Sequence, residues 1–125
     1  MAYTMSEVSE KTGLSPFTIR YYDKEGLIPF VERSQAGRRL FSDADLRRLE
    51  LVCCLKNTGM SIAEIKKFIS WEIEGDEDYA LRLEMLEAHR KKVKKKIAVL
   101  EKNLSNVDGK IKTFREKSGK QEGKS

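Results

Sequence analysis

The chain has 125 residues, of which 36% are charged and 39% hydrophobic, with two prolines and a formal net charge of +5. That length supports one modest core, and the charge-rich, proline-poor composition favours long helices over an all-β sandwich. The two cysteines, Cys53 and Cys54, are neighbours and build no disulfide framework. The single histidine, His89, leaves no His/Cys metal cage within one copy. No G-x-S-x-G, Walker loop or H-E-x-x-H is present, so the expectation is a non-enzyme without cofactor or metal. No apolar run approaches the ~20 residues that span a bilayer, and the N-terminus lacks the basic-then-apolar order of a signal peptide. A soluble cytoplasmic protein with no membrane partner is expected. The basic balance makes an anionic partner plausible without naming one.

The elements read in chain order. Thr4-Met5-Ser6-Glu7 is a capping box opening a short helix, which Gly13 closes. Ser15-Pro16 opens a second helix, with Ser15 as N-cap and Pro16 where a missing amide costs nothing; Gly26 ends it. Two short helices joined through Gly13-Leu14-Ser15 predict a helix-turn-helix. Between Pro29 and Ser42, apolar ends flank Ser34-Gln35-Ala36-Gly37, which predicts a β-hairpin in the position of a wing. The spacing alone fits a plain helical domain with an incidental loop equally well. Ser42 with Asp45 opens a third helix that Gly59 ends, and Ser61 with Glu64 opens a fourth.

Beyond Trp71 the pattern changes. Tyr79, Leu83, Leu86, Arg90, Val93, Ile97, Leu100, Leu104, Val107, Ile111 and Phe114 are spaced alternately four and three apart, with Arg90 the one break in the apolar seam. Such a heptad needs a partner helix. At 1.5 Å per residue, positions 79–117 extend roughly 55–60 Å, and no second helix of that length exists in the chain. The expected partner is another copy; the alternative is a helix of a different protein. The pattern does not decide between parallel and antiparallel pairing. The lysines Lys91, Lys92, Lys94, Lys95 and Lys96 occupy outer heptad positions and read as solvation. The predicted organisation is a winged helix-turn-helix over 1–71, a linker over 72–78, a dimerisation helix over 79–117 with Leu83, Leu86, Val93, Ile97, Leu100, Leu104, Val107 and Ile111 at the interface, and a disordered polar tail over 118–125.

A helix-turn-helix, wing and dimer helix together suit two half-sites on DNA. In the second helix Ile19, Tyr22 and Leu27 are expected inward, leaving Phe17, Thr18, Arg20 and Tyr21 outward. Arginine can bond a guanine edge or a phosphate, hydroxyls can bond phosphate, and Phe17 can touch a thymine methyl. Arg33, Arg38 and Arg39 lie where a wing reaches the backbone. The candidate DNA-facing set is therefore Ser15, Phe17, Thr18, Arg20, Tyr21, Arg33, Arg38 and Arg39. A solvated surface is the competing reading for each residue singly, and a coiled-coil adaptor binding another protein is the rival for the whole.

The stretch T-M-S-E-V-S-E-K-T-G-L-S-P-F-T-I-R-Y-Y-D-K-E-G-L-I-P, followed by G-R-R-L-F-S-D-A-D-L, resembles the DNA-binding domain of the MerR family of bacterial transcription regulators over residues 3–71. The resemblance implies an all-α-dominated fold with a small wing and an antiparallel coiled-coil homodimer. It implies a pseudo-palindromic operator in double-stranded promoter DNA, activated by bending and untwisting the spacer so that RNA polymerase engages both promoter elements. Arg20, Tyr21 and Arg39 match the family's DNA-contacting positions, and Tyr22 matches an aromatic nearer the core. Arg38 and Leu40 stand where the family usually has wing tyrosines. No cysteine follows Cys54, which argues against the family's thiolate metal sensing, and the short tail argues against an appended ligand domain. L-V-C-C-L-K-N-T-G-M-S-I is similar to the aldehyde- and nitrosative-stress-responsive branch, which implies Cys54 as the sensor. Helical geometry places Cys53 on the stripe of Leu46 and Leu49 and rotates Cys54 about 100° away, toward Glu50 and Arg47. Cys53 is thus expected in the core and Cys54 partly exposed, where an electrophile or nitrosating agent can modify a thiolate favoured by Arg47; a buried, structural cysteine is the alternative.

Overall fold

A computed structural model describes residues 2–75 and 79–122, the last three by backbone alone. The elements are α1 (Met5–Thr12), α2 (Pro16–Lys24), β1 (Glu32–Arg33), β2 (Arg39–Leu40), α3 (Asp43–Asn57), α4 (Ile62–Ile73) and α5 (Ala80–Glu122). Two units can be described separately, residues 1–85 and 86–125.

In the first unit the helix starts follow from local chemistry. Thr4 Oγ1 accepts the Glu7 amide at 3.2 Å while Glu7 Oε1 accepts the Thr4 amide at 3.2 Å. Ser42 and Asp45 repeat this reciprocity at 3.1 and 2.9 Å. Each pair satisfies amide donors that the first helical turn leaves unpaired. Ser15 caps α2 by accepting the Thr18 amide at 3.1 Å. Ser61 caps α4 through the Glu64 amide, its hydroxyl donating to the Glu64 carboxylate. Gly13 closes α1 at φ 74°, in the left-handed region that side chains with a Cβ avoid.

β1 and β2 pair antiparallel, Glu32 opposite Leu40 and Arg33 opposite Arg39. A contact invisible in the sequence extends the hairpin: Tyr3 and Phe41 exchange backbone hydrogen bonds of 2.7 and 2.9 Å. The chain's start is thereby stitched to the wing's return strand. Phe41 is fully buried, with Val8, Ile19, Leu27, Ile28, Leu49, Val52, Ile65 and Ile69. Helices α1 to α4 and the wing therefore share one core, and the outward face of α2 is left to solvent.

Arg48 on α3 ties three segments together. Its Nε donates to Glu72 Oε2 at 3.1 Å, its Nη2 donates to Glu72 Oε1, and its Nη1 meets Asp45 Oδ1 at 3.2 Å. The same guanidinium lies 4.8 Å from the Phe30 ring centroid. Such a planar fork matches a carboxylate bidentately. The hydrogen bonds from Arg48 lower the Glu72 pKa below the ordinary 4.5, outweighing the opposing effect of burial.

Helix α5 is unbroken through Glu122. The polar stretch after Lys117 was expected to be disordered, yet helix continues into it. Lys, Gln and Glu are good helix formers, and the one glycine between Ser118 and Glu122, Gly119, costs only about 1 kcal/mol relative to alanine. Helix α4 likewise runs to Ile73, so the first two residues of the expected 72–78 linker are helical. Residues 76–78 and 123–125 lie outside the described residues. Of the predicted seam, Ile97, Leu100, Leu104, Val107, Ile111 and Phe114 are 43–66% exposed. No helix among the described residues is long and apolar enough to cross a membrane.

Candidate nucleic-acid interface

Helix α2 divides as its period dictates. Ile19 and Tyr22 are buried, as is Leu27 beyond the helix end, whereas Phe17 is 77% exposed and Arg20 and Tyr21 are exposed. Thr18 is half-buried, and its hydroxyl shares a 3.0 Å hydrogen bond with Ser15 Oγ. Ser15 and Thr18 are thus occupied with the cap as well as presented near the outward face. An aromatic ring left this open on a nine-residue helix has no intramolecular function, and its position suits contact with another surface.

The three wing arginines separate into different roles. Arg33 Nη1 donates to the Gly37 carbonyl at 2.8 Å, bracing the turn from within. Gly37 holds φ 80°, and its amide donates to the Ser34 carbonyl at 2.9 Å, closing the tip. Arg39 Nε donates to Asp23 Oδ2 at 2.6 Å, with both side chains three-quarters or more covered. That ion pair joins the wing's second strand to α2, so Arg39 positions the hairpin before it can contact anything else. Arg38 is exposed at the tip.

A cleft of about 440 Å³ gathers the remaining cations. Its walls are Thr4, Met5 and Ser6 at the start of α1, Arg20 of α2, and Ser34, Gly37, Arg38, Arg39 and Leu40 of the wing. Among the described residues no ion pair engages the guanidinium of Arg20 or Arg38. A helix N-terminus carries partial positive charge, so every charged feature lining this cleft suits an anion. Thr4, Met5, Ser6 and Ser34 were absent from the sequence-derived set. The capping box at Thr4 was the available signal, since it marks a helix start, but only the Tyr3–Phe41 pairing brings that start beside the wing.

The cysteines differ from each other. Cys54 is exposed, and Cys53 is half-buried rather than in the core as expected, because the buried stripe of α3 runs through Asp45, Leu49, Val52 and Leu55 and leaves Cys53 at its edge. Burial pushes the Cys53 thiol upward, reinforced by Cys54 and Glu50, which keeps it protonated and poorly nucleophilic.

This geometry can be set beside known proteins. The MerR HTH family regulatory protein model matches residues 3–71, and a second family model, MerR, DNA binding, matches residues 46–109. An uncharacterized HTH-type transcriptional regulator of Haemophilus influenzae is 46% identical over 111 residues, spanning 89% of this chain and 82% of its own. HiNmlR, a MerR family regulator lacking the sensor domain and crystallised bound to promoter DNA, superposes with a TM-score of 0.86 at 44% identity, over 93% of this chain and 92% of its own. A MerR family transcriptional regulator from Bacillus thuringiensis superposes with a TM-score of 0.82 at 43% identity, over 89% and 97%.

Proposed function

The chain belongs to the MerR family of helix-turn-helix regulators, DNA-binding proteins of transcription, and on that premise we propose that it binds a pseudo-palindromic promoter spacer as a homodimer and deforms it for RNA polymerase. In this reading residues 1–71 form each DNA-binding domain and the helix from 79 onward joins two copies. Helix α2 enters the major groove, where Phe17, Thr18, Arg20 and Tyr21 meet base edges and phosphates. The wing follows the backbone, with Arg38 in contact and Arg33 and Arg39 setting its shape. The observation that carries this reading is the cleft that brings Arg20 and Arg38 against the start of α1, with Phe17 exposed about one turn before Arg20 on α2. A relative of 44% identity has been crystallised on promoter DNA.

Regulation is assigned to Cys54, responding to thiol-reactive aldehyde or nitrosative stress. Support comes from its exposure on α3, while its half-buried neighbour is held as a thiol. Adduct formation there adds bulk that can alter the angle between the two heads. The test is transcription in vitro from the gene's own upstream region, comparing reduced protein with protein treated by a small aldehyde. Treatment is expected to raise output with the protein still on DNA, and Cys54→Ser is expected to abolish the response and leave basal binding unchanged. Equal output from treated and reduced wild type contradicts the sensor assignment. The adaptor alternative separates by salt: contacts to several phosphates weaken steeply with added salt, whereas an apolar protein contact does not.

A further inference from the structure

Resting on the reading of the chain as a DNA-binding regulator, we infer that Glu72 is a carboxylate shared by two arginines, Arg48 of α3 and Arg82 in the first turn of α5, and that the share Arg48 holds positions the base of the wing on DNA. Neither the DNA contacts nor the sensor uses this cluster. Asp45 is buried and the Arg48 side chain is 11% exposed. Charges taken out of water regain that cost only with excellent geometry, and apolar residues of like size often stabilise a core as well. Stability alone therefore gives little reason for the cluster. What it achieves is connection. Arg48 offers its fork to Glu72 in the last turn of α4 and its Nη1 to Asp45 at 3.2 Å. Its guanidinium lies 4.8 Å from the Phe30 ring centroid, and Phe30 stands two residues before β1. A planar fork held by a carboxylate and stacked on a ring has little freedom. The base of the wing thus rests on one side chain whose orientation Glu72 sets.

Glu72 has a second cation close by. A cavity of about 330 Å³ within the first unit is lined by Arg48, Glu72 and Arg82 together, with Leu51 and Phe68 also on its walls. The Glu72 carboxyl responds to both arginines. Hydrogen bonds from Arg48 lower its pKa most, against the opposing effect of burial, and the charges of Arg48 and Arg82 lower it further. Arg82 is half-buried, its guanidinium 4.4 Å from the Tyr79 ring centroid. Tyr79, immediately before α5, holds φ 60°, which a bulky side chain rarely adopts; strain of this kind concentrates at segments that switch. A shift of this turn against α4 carries Arg82 toward or away from Glu72 across the cavity. Approach draws the carboxylate off Arg48, leaves that guanidinium with Asp45, and loosens its hold on Phe30. A carboxylate with two alternative cations is a two-state element of the kind that coupling between sites requires.

The test is the affinity of the full chain for the gene's own upstream DNA, read by anisotropy at physiological salt, with Tm recorded for each variant. Glu72→Gln keeps the shape and removes the charge, and is expected to weaken binding about two- to fivefold. Arg82→Ala leaves Glu72 wholly to Arg48 and is expected to tighten binding by a similar factor. Loss of a cation ordinarily weakens contact with DNA, so tightening is diagnostic. In the Glu72→Gln background Arg82→Ala is expected to change nothing, because both act through one carboxylate. Should Glu72→Gln lower the Tm enough to unfold the protein, Arg48→Lys, which keeps the charge without the fork, takes its place in the cycle. Unchanged or weaker binding in Arg82→Ala overturns the sharing, as does an equal effect of Arg82→Ala in both backgrounds. Unchanged binding in Glu72→Gln removes the pair from the positioning of the wing. Wild-type protein that binds its upstream DNA no better than a scrambled duplex defeats the DNA-binding reading itself, and this inference with it.

Discussion

The first unit and helix α5 carry apolar residues in comparable supply and use them in opposite ways. Every fully buried hydrophobic residue among the described ones lies between Val8 and Ile69. On α5 the large apolar side chains from Ile97 to Phe114 are exposed. A capped, hairpin-stitched set of short helices closes its own core, because Gly13, the turn at Gly26 and the wing let the chain fold back. A 43-residue helix without an internal turn cannot. Its period of 3.5 instead prepares a seam for a second helix.

The difference predicts how each region breaks. Phe41→Ala removes a fully buried ring from beneath the wing and is expected to cost about 3–5 kcal/mol of stability, seen as a lowered Tm with loss of DNA binding. Ile97→Asp leaves the first unit folded and is expected to cost several kcal/mol of dimerisation by burying unpaired charge, read by sedimentation. A Tm loss for the first unit equal to that of Phe41→Ala would deny the division. Arg20→Ala is expected to weaken operator binding by about 1–3 kcal/mol with fold and dimer intact, measured by anisotropy. Asp23→Ala frees Arg39 from α2, and a loss of about 1 kcal/mol in DNA affinity is expected as the wing loosens; unchanged affinity would remove that ion pair from the positioning of the wing.

The smallest effect concerns pH. The Glu72 carboxyl is held below its ordinary 4.5 by Arg48, so this pair contributes stability that is present above pH 4.5 and lost as pH falls through the lowered folded value. Glu72→Gln is therefore expected to flatten the acid limb of the stability curve, followed by unfolding at pH 3 to 7; an unchanged limb would show the pair to be irrelevant.

What was legible in the sequence had a local cause. The capping boxes at Thr4 and Ser42, the proline-initiated α2, the hairpin between Pro29 and Ser42 and the heptad seam each follow from residues a few positions apart. The outward placement of Phe17, Arg20 and Tyr21 followed from helical period. The missed features are long-range. Arg48 with Glu72 spans 24 positions, Tyr3 with Asp43 spans 40, and Arg39 with Asp23 spans 16. None of these has a signature in neighbouring residues, so Arg39 looked like a free contact when the fold uses it as a brace. Residues 118–122 differ for another reason. Their polarity suggested disorder, but a helix already running needs only good helix formers to continue through Glu122, since propagation lacks the cost of nucleation.

The most direct test of the account is a titration of the gene's own upstream DNA against a scrambled duplex of equal length, at low and at physiological salt. The account predicts tighter binding to the native sequence by at least about a thousandfold at physiological salt, a steep fall in affinity with salt for both duplexes, and loss of the preference in Arg20→Ala. Equal affinity for the two duplexes, or binding indifferent to salt, would contradict it.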